Sequence, residues 1–140
     1  MEHKKFLATF AAISLIVGCC VMMLLYPLLK GEEIFNSEPA PEEISFSFLS
    51  ALANDDYQTA FILCDDLLQE DLIDPQNMQS EIEKSQLQPA NWEILSQSIS
   101  PDEVEFSGSM DFRIHISGTF RITLRHYEDG WKVAVFFLDY

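Results

Sequence analysis

Three side chains in the C-terminal part of the chain could transfer protons: Tyr57, His115 and His126. An acid–base enzyme needs such a group pointing into a cavity beside its substrate. Two predicted central strands instead turn only apolar, non-titrating side chains inward: Val104, Phe106, Met110, Phe112, Phe120, Ile122 and Leu124. His126 falls on the inward-facing side of the alternation but lies at the end of its strand, and His115 lies in a connection between strands. Tyr57 fits a core position of a helix, with its hydroxyl at the edge of the core where it can find a polar partner. We therefore expect no catalytic residue, with these three as the remaining candidates.

Acidic residues occur in adjacent pairs: Asp55-Asp56, Asp65-Asp66 and Glu70-Asp71. A calcium-binding EF-hand loop spaces its ligands alternately and has a glycine at its turn, which adjacent acids do not reproduce. His3, His115 and His126 are not spaced like zinc ligands. The chain also lacks a glycine-rich phosphate loop and a serine nucleophile motif. We expect no metal and no cofactor, with the acids at helix starts and on solvated faces.

The three cysteines do not form a disulfide framework. Cys19 and Cys20 lie in an apolar N-terminal run, which leaves Cys64 as the single cysteine of the remaining chain. Cys64 falls within an apolar helical pattern, and its neighbours Asp65 and Asp66 disfavour a thiolate. The sequence predicts a buried, unreactive thiol at this position.

Charge is distributed unevenly along the chain. The formal net charge is -15, but residues 31–140 contain 22 acidic and 5 basic residues, a net charge of -17. Binding to nucleic acid requires a basic patch, so we predict no nucleic-acid partner. The acidic excess is also repelled by anionic lipid headgroups. It indicates either solubility alone or an acidic surface for a cationic partner.

The N-terminal segment resembles a membrane anchor. Residues 6–29 contain no charged side chain and, as a helix, would measure roughly 36 Å, which exceeds the ~30 Å hydrocarbon core. We predict a single transmembrane helix over 6–29. Lys4 and Lys5 favour a cytoplasmic stub at 1–5, and therefore place the C-terminal domain outside the cell membrane. Residues 30–41, rich in Pro and Glu, are interpreted as a linker.

Two other kinds of N-terminal segment compete with this interpretation. A cleaved signal peptide has a shorter apolar core, about 7–15 residues, and a small-residue cleavage site that is missing here. Ile16-Val17-Gly18-Cys19 is similar to a bacterial lipobox. Cleavage there would leave an apolar mature start, whereas lipoproteins usually continue with polar residues. The uncleaved helix is preferred, and lipidation of Cys19 remains open.

Residues 42–140 are predicted to be one α+β domain in which helices precede strands. Helical periodicity begins near Glu42, and a second helix is predicted over 56–63. A turn or short helix follows through Leu67, Leu68 and Leu72, and a further helix runs from Pro75 to about Lys84 with Asp74 as N-cap. Four antiparallel strands follow, over 92–99, 103–112, 119–125 and 131–138. They are separated by a turn at 100–102, a connection at 113–118 and a hairpin at 128–130, and Gly108 marks a bend or bulge. Three or four short helices would thus pack on one face of the sheet.

The span 45–140 resembles nuclear transport factor two-like domains. Phe48-Leu49-Ser50-Ala51-Leu52 followed by Asp56-Tyr57-Gln58-Thr59-Ala60-Phe61 is similar to their opening "FLxALxxxDYxxAY". Thr123-Leu124-Arg125 with Asp129-Gly130-Trp131-Lys132-Val133 is similar to their last hairpin. The resemblance implies a cone-shaped, ketosteroid-isomerase-like or cystatin-like fold with a curved sheet around the helices. In bacteria such domains often follow a membrane anchor. Some relatives are isomerases or cyclases, whereas others bind partners, so the fold does not determine a function.

The predicted outer face of the sheet is charged. Arg121, Arg125 and Lys132 share one side with Glu103 and Glu105, so neighbouring strands would place opposite charges across from one another. This pattern indicates either ion pairing on a solvated face or, because many domains of this fold dimerise through that face, a docking surface for a second copy or another protein. We expect a non-catalytic binding or interaction domain of unknown ligand. A small isomerase- or cyclase-like enzyme and a structural subunit of a membrane assembly are the alternatives.

Overall fold

The computed structural model describes residues 38–140 of the chain. The predicted stub at 1–5, the predicted transmembrane helix at 6–29 and most of the predicted linker at 30–41 lie outside these residues. Within the described range, no helix is both long enough and apolar enough to cross a membrane. Pro39–Tyr140 forms one compact unit.

Four helices come first in the described range: α1 (Pro41–Ala53), α2 (Tyr57–Ile62), α3 (Asp66–Leu72) and α4 (Pro75–Lys84). α1 begins at a proline, with Glu42 and Glu43 in its first turn, where carboxylates interact favourably with the helix dipole. Each of the other three begins after an aspartate whose side chain accepts a hydrogen bond from a backbone N–H of the first turn: Asp56, Asp65 and Asp74. The predicted starts near Glu42 and at Asp74 are confirmed.

Four antiparallel strands follow in the order β1-β2-β3-β4: β1 (Pro89–Ile99), β2 (Glu103–Phe112), β3 (Ser117–Tyr127) and β4 (Gly130–Asp139). β1 begins three residues earlier than predicted, and β3 begins inside the predicted connection 113–118. The hairpin between β3 and β4 is confirmed. Its Gly130 has a φ of 115°, in the region that favours glycine over residues with a side chain.

Bulges explain why the two edge strands alternate poorly in the sequence. In β1, Ile94 and Ser96 pair with consecutive residues of β2, so Leu95 is an extra residue. The positions facing the helices therefore change from Trp92 and Ile94 before Leu95 to Gln97 and Ile99 after it, and a second register shift lies between Pro89 and Asn91. β4 has the same interruption at Ala134. A strict period of two holds only in the central strands.

Gly108 lies opposite the bulge of β1, where the two backbones approach closely. A Cβ atom added at Gly108 would overlap the backbone carbonyl of Glu93 on β1. Only glycine fits this position without moving a strand, because the obstacle is main chain. The predicted irregularity at Gly108 is therefore confirmed, with the extra residue on the neighbouring strand.

The core lies between the helices and one face of the curved sheet. Phe48, Leu49 and Leu52 of α1 and Met78 of α4 are fully buried against it. All seven positions predicted to face inward are at most 2% exposed: Val104, Phe106, Met110, Phe112, Phe120, Ile122 and Leu124. The α+β architecture, with four described helices packed on a four-stranded antiparallel sheet, is confirmed.

Candidate functional site

The space inside the cone is filled by apolar side chains. Aromatic rings of α1, β2 and β4 meet there, and the rings of Phe48 and Phe136 contact edge to face at a centroid distance of 5.2 Å. The hydroxyl of Ser45 on α1 is fully buried and has no hydrogen-bond partner in the described part of the chain. Ser45 is not a titratable base, so the interior described here holds no acid–base pair.

Tyr57 packs in the core as predicted, and its hydroxyl reaches the rim. The side chain is 4% exposed, and the hydroxyl lies 3.4 Å from Oδ1 of Asp55. Burial, followed by the negative charge of Asp55, raises the pKa of Tyr57. Asp55 is also paired with Arg113, whose Nη1 lies 2.9 Å from Oδ2. The tyrosine is therefore held in its neutral form and acts as a hydrogen-bond donor.

His115 lies in the turn between β2 and β3, as predicted, and its backbone adopts a φ of 61°. It lines an open depression of about 520 Å³ together with Asp111 and Ser117. These three residue types can form a nucleophilic triad, but the required relay through histidine is missing. The Ser117 hydroxyl donates its hydrogen bond directly to Oδ1 of Asp111, at 2.6 Å.

His126 lies at the end of β3, exposed to solvent, on the helix-facing side that the alternation predicted. It pairs across the ladder with Trp131 of β4, and the two rings meet edge to face at 5.0 Å. The structure does not bring Tyr57, His115 and His126 into one site. Tyr57 begins α2, His115 lies in the turn between β2 and β3, and His126 lies near the end of β3.

Asp65 and Tyr127 form a polar contact that the sequence analysis missed. Asp65 is 4% exposed, and its two carboxylate oxygens are used differently. Oδ1 accepts the backbone N–H of Leu68 at 2.8 Å, which caps α3, and Oδ2 accepts the Tyr127 hydroxyl at 2.7 Å. This hydrogen bond raises the pKa of Tyr127. The expectation that Asp65 lies on a solvated face is wrong, although its place at a helix start is confirmed.

The depression beside this contact measures about 330 Å³ and is lined by the apolar Leu67 together with polar and charged residues: Asp65, Asp66, Tyr127, Asp129 and Lys132. Lys132 Nζ lies 2.9 Å from Oδ2 of Asp129, and this hydrogen bond lowers the pKa of Asp129. Across residues 38–140, no group of three or more His, Cys, Asp or Glu side chains is arranged to hold a metal ion. With both oxygens of Asp65 engaged, the depression has no buried carboxylate available as a base.

Cys64 is buried, as predicted. Its thiol donates a hydrogen bond to the backbone oxygen of Ala60 at 3.4 Å. Burial, followed by the charge of Asp65, raises the pKa of Cys64 to about 12. A nucleophilic cysteine needs the opposite shift, so this thiol is unreactive at neutral pH.

The predicted docking residues all lie on the outer face, defined as the side of the sheet away from the helices: Glu103, Glu105, Arg121, Arg125 and Lys132. Arg125 pairs with Glu103 at 3.1 Å and Arg121 with Glu105 at 3.6 Å, which confirms opposite charges across β2 and β3. Lys132 instead pairs within its own hairpin. Each ion pair is solvent-exposed and contributes little to stability by itself.

A shallow groove of about 690 Å³ crosses the outer face. One row of residues from all four strands lines it: Leu95, Ser107, Arg121 and Phe137. Leu95 and Phe137 are large apolar side chains that remain mostly exposed at its two ends. The bulge at Leu95 and the exposed Phe137 were not singled out from the sequence, because alternation alone does not locate a bulge.

Comparison with known proteins supports the fold. No family model matches the chain, and no curated protein matches its sequence. A Campylobacter jejuni protein named as an NTF2-like transpeptidase is similar in structure, with a TM-score of 0.54 and 15% identity, over 69% of this chain and 99% of that chain. A SEC-C-motif-containing protein from Rhodopseudomonas palustris has a TM-score of 0.59 and 19% identity, over 85% of this chain and 91% of that chain. At these identities the likeness establishes a nuclear transport factor two-like fold and nothing about activity.

Proposed function

We propose that this chain is a membrane-anchored interaction protein whose domain lies outside the membrane and binds a protein partner through the outer face of its sheet. The helix expected at 6–29 provides the anchor, and residues 30–41 link it to the domain. The observation that supports a binding role rather than a catalytic one is that apolar side chains fill the interior of the cone.

Catalysis within this fold requires an acid or base beside an internal space for substrate. Here the inward positions of the two central strands are apolar and at most 2% exposed. The titratable candidates lie elsewhere, and the hydroxyl of Tyr57 points to the rim near Asp55. An isomerase- or cyclase-like activity would have to displace core side chains, which costs several kcal/mol per large residue. The packing therefore supports binding over chemistry.

The outer face offers the features of a docking surface. Three of the five basic residues in the net -17 segment lie there, beside two exposed glutamates. Alternating charges orient a partner and exclude wrong ones, while the exposed Leu95 and Phe137 supply apolar contact area. The partner can be a second copy or a different protein. A structural subunit of a membrane assembly would use the same surface and would differ in having a permanent, stoichiometric partner.

Topology is tested by labelling with a membrane-impermeant maleimide. A cysteine introduced at the exposed position Gln58 on α2 should be labelled in intact cells. The unmodified chain, in which Cys64 is buried, should not be labelled until it is denatured. Labelling of Gln58→Cys only after cell lysis would contradict the proposed orientation.

The docking surface is tested with two matched substitutions followed by gentle detergent extraction. Phe137→Arg changes the outer face, and Leu67→Arg changes α3 at a similarly exposed site, with side chains 61% and 63% exposed in the structure. We expect the self-associated or partner-bound form to be lost with Phe137→Arg and kept with Leu67→Arg. Equal behaviour of both variants, with unchanged unfolding midpoints, would refute docking through the outer face.

A further inference from the structure

The two edge strands of the sheet differ in whether another segment of the chain pairs with their outer side. At β4, the backbone N–H of Val133 donates to the Leu63 carbonyl at 2.9 Å, and the Asp65 N–H donates to the Val133 carbonyl at 2.8 Å. The segment between α2 and α3 therefore occupies the middle of that edge. Within residues 38–140, β1 pairs on one side only, with β2. An open edge of this kind presents unpaired main-chain groups for another strand.

The unpaired groups can be assigned to individual residues. The Ser100 N–H donates to the Glu103 carbonyl at 2.8 Å, so Ser100 faces β2. In an antiparallel ladder, residues that face the partner strand alternate with residues that face away. Gln97 and Ile99 therefore direct their N–H and C=O groups toward the open edge. This regular stretch lies beyond the bulge at Leu95, which would otherwise interrupt pairing.

An apolar strip follows the same edge on the side that faces the helices. It consists of Trp92, Ile94 and Ile99 on β1 with Phe46 on α1. The rings of Phe46 and Trp92 lie 5.8 Å apart, yet Phe46 and Ile99 remain 61% and 72% exposed. Apolar side chains that gather in one exposed patch mark an interaction site more often than scattered ones do.

Charge selects the kind of partner that fits this strip. α1 and β1 together contain Glu42, Glu43 and Glu93 and no lysine or arginine. Glu42 reaches the strip itself, where its Oε1 accepts a hydrogen bond from the Gln97 side chain at 2.9 Å. A second copy would bring its own excess of carboxylates to this edge, so like charges oppose self-pairing. A basic segment would meet opposite charge.

We propose that the β1 edge accepts an extended, cationic polypeptide segment of another protein, which adds to the sheet as a fifth strand. Main-chain hydrogen bonds form with Gln97 and Ile99, and apolar side chains of one parity cover the strip. Lysines or arginines of the other parity lie on the outer side of the sheet, toward which Glu93 of β1 and Glu105 of β2 direct their side chains. This site is separate from the outer face, and its existence does not depend on docking there.

Binding is measured with the full chain in a non-ionic detergent and a fluorescent peptide, Lys-Ile-Lys-Val-Lys-Ile-Lys, by anisotropy. The control peptide carries glutamate at every lysine position. We expect the lysine peptide to bind at least about tenfold more tightly, and its affinity to fall as salt is added. Amide hydrogen exchange should slow at Gln97 and Ile99 when the peptide is present.

Two variants locate the site. Gln97→Pro removes an edge N–H at a position where an edge strand tolerates proline, and it should weaken binding about tenfold or more. Ile99→Ser removes an apolar contact and should weaken binding. Ile73→Ser, at a similarly exposed isoleucine directly after α3 and away from β1, should not. If Gln97→Pro perturbs folding, the isoleucine pair still decides the outcome.

Four results would overturn the proposal. They are no binding of the lysine peptide, equal binding of the glutamate peptide, unchanged affinity in both Gln97→Pro and Ile99→Ser, and concentration-dependent self-association that protects the β1 amides without peptide. The last result would make a second copy the occupant of this edge. Because the outer-face variant Phe137→Arg leaves β1 untouched, it should bind the lysine peptide normally even if docking through the outer face fails.

Discussion

The contact between Asp65 and Tyr127 should connect α3 to the last hairpin with a measurable coupling energy. Asp65 makes two separate hydrogen bonds, one that caps α3 and one that accepts the Tyr127 hydroxyl at 2.7 Å. The matched control is Asp74, which caps α4 through the Asn77 N–H at 2.7 Å on an exposed surface. Comparing Asp65→Ala with Asp74→Ala therefore separates the long-range contact from the cap.

The structure sets the expected magnitudes. Loss of an aspartate N-cap costs about 1 kcal/mol, which is the whole effect expected for Asp74→Ala. Tyr127→Phe removes a hydrogen bond to a carboxylate, and because Tyr127 is partly exposed we expect about 1 kcal/mol rather than the upper end of the general range. Asp65→Ala loses both and should cost about 2 kcal/mol. The double variant should lose no more than Asp65→Ala alone, which gives a coupling energy of about 1 kcal/mol.

Urea unfolding of the full chain in a non-ionic detergent, followed by tryptophan fluorescence, measures these free energies. Both tryptophans, Trp92 and Trp131, lie within the sheet, so the signal reports on this domain. If Tyr127→Phe costs as much in the Asp65→Ala background as in the unmodified chain, the hydrogen bond contributes nothing and the reasoning is refuted.

Three further predictions concern the core, the bulge and the outer face. Burial raises the pKa of Cys64 from 9.0 to about 12, so the stability that the protonated thiol gives the folded state is complete below pH 9 and is lost as the pH rises toward 12. In this window the free energy of unfolding, relative to that of Cys64→Ala, should fall by about 1.4 kcal/mol per pH unit. A difference that does not change with pH would contradict burial of the thiol. Gly108→Ala should lower the free energy of unfolding in urea by about 1–3 kcal/mol, because the added Cβ overlaps the Glu93 carbonyl. The neighbouring Ser109→Ala should change it by about 0.5 kcal/mol or less. Equal effects of the two substitutions would exclude the close approach of the β1 and β2 backbones at Gly108. Arg125→Ala breaks an exposed ion pair and should cost under about 1 kcal/mol in the same assay, and a larger loss would give the outer face a structural role.

The central strands could be predicted from the sequence because no bulge interrupts their pairing with each other, so successive side chains alternate between the two faces of the sheet. In β2 and β3 one parity is apolar and the other polar, so the inward residues followed directly from the alternation. The helix starts were also readable, since an aspartate before an apolar helical stretch acts locally through its own side chain. Both features depend on residues that are close together along the chain.

Features that depend on distant residues were not predictable in this way. Asp65 resembles any acid at a helix start, and its partners in the fold are distant in sequence: Tyr127, 62 positions later, donates to its side chain, and Val133 accepts its backbone N–H. In β1 the bulge at Leu95 changes the parity of the strand, so Ile94 and Ile99 lie on the same side although their sequence spacing suggests opposite sides. The open edge beside them is a property of the topology, because only pairing shows which strands lie outermost.

The most direct test of the proposed interaction function is site-specific photo-crosslinking in intact cells. A benzophenone amino acid is introduced at Thr119, an exposed position lining the groove of the outer face, and separately at Gln58 on α2. We predict a discrete crosslinked protein product from Thr119 and none from Gln58. Absence of a product from Thr119 in a correctly folded, membrane-inserted chain, or the same products from both positions, would contradict docking through the outer face.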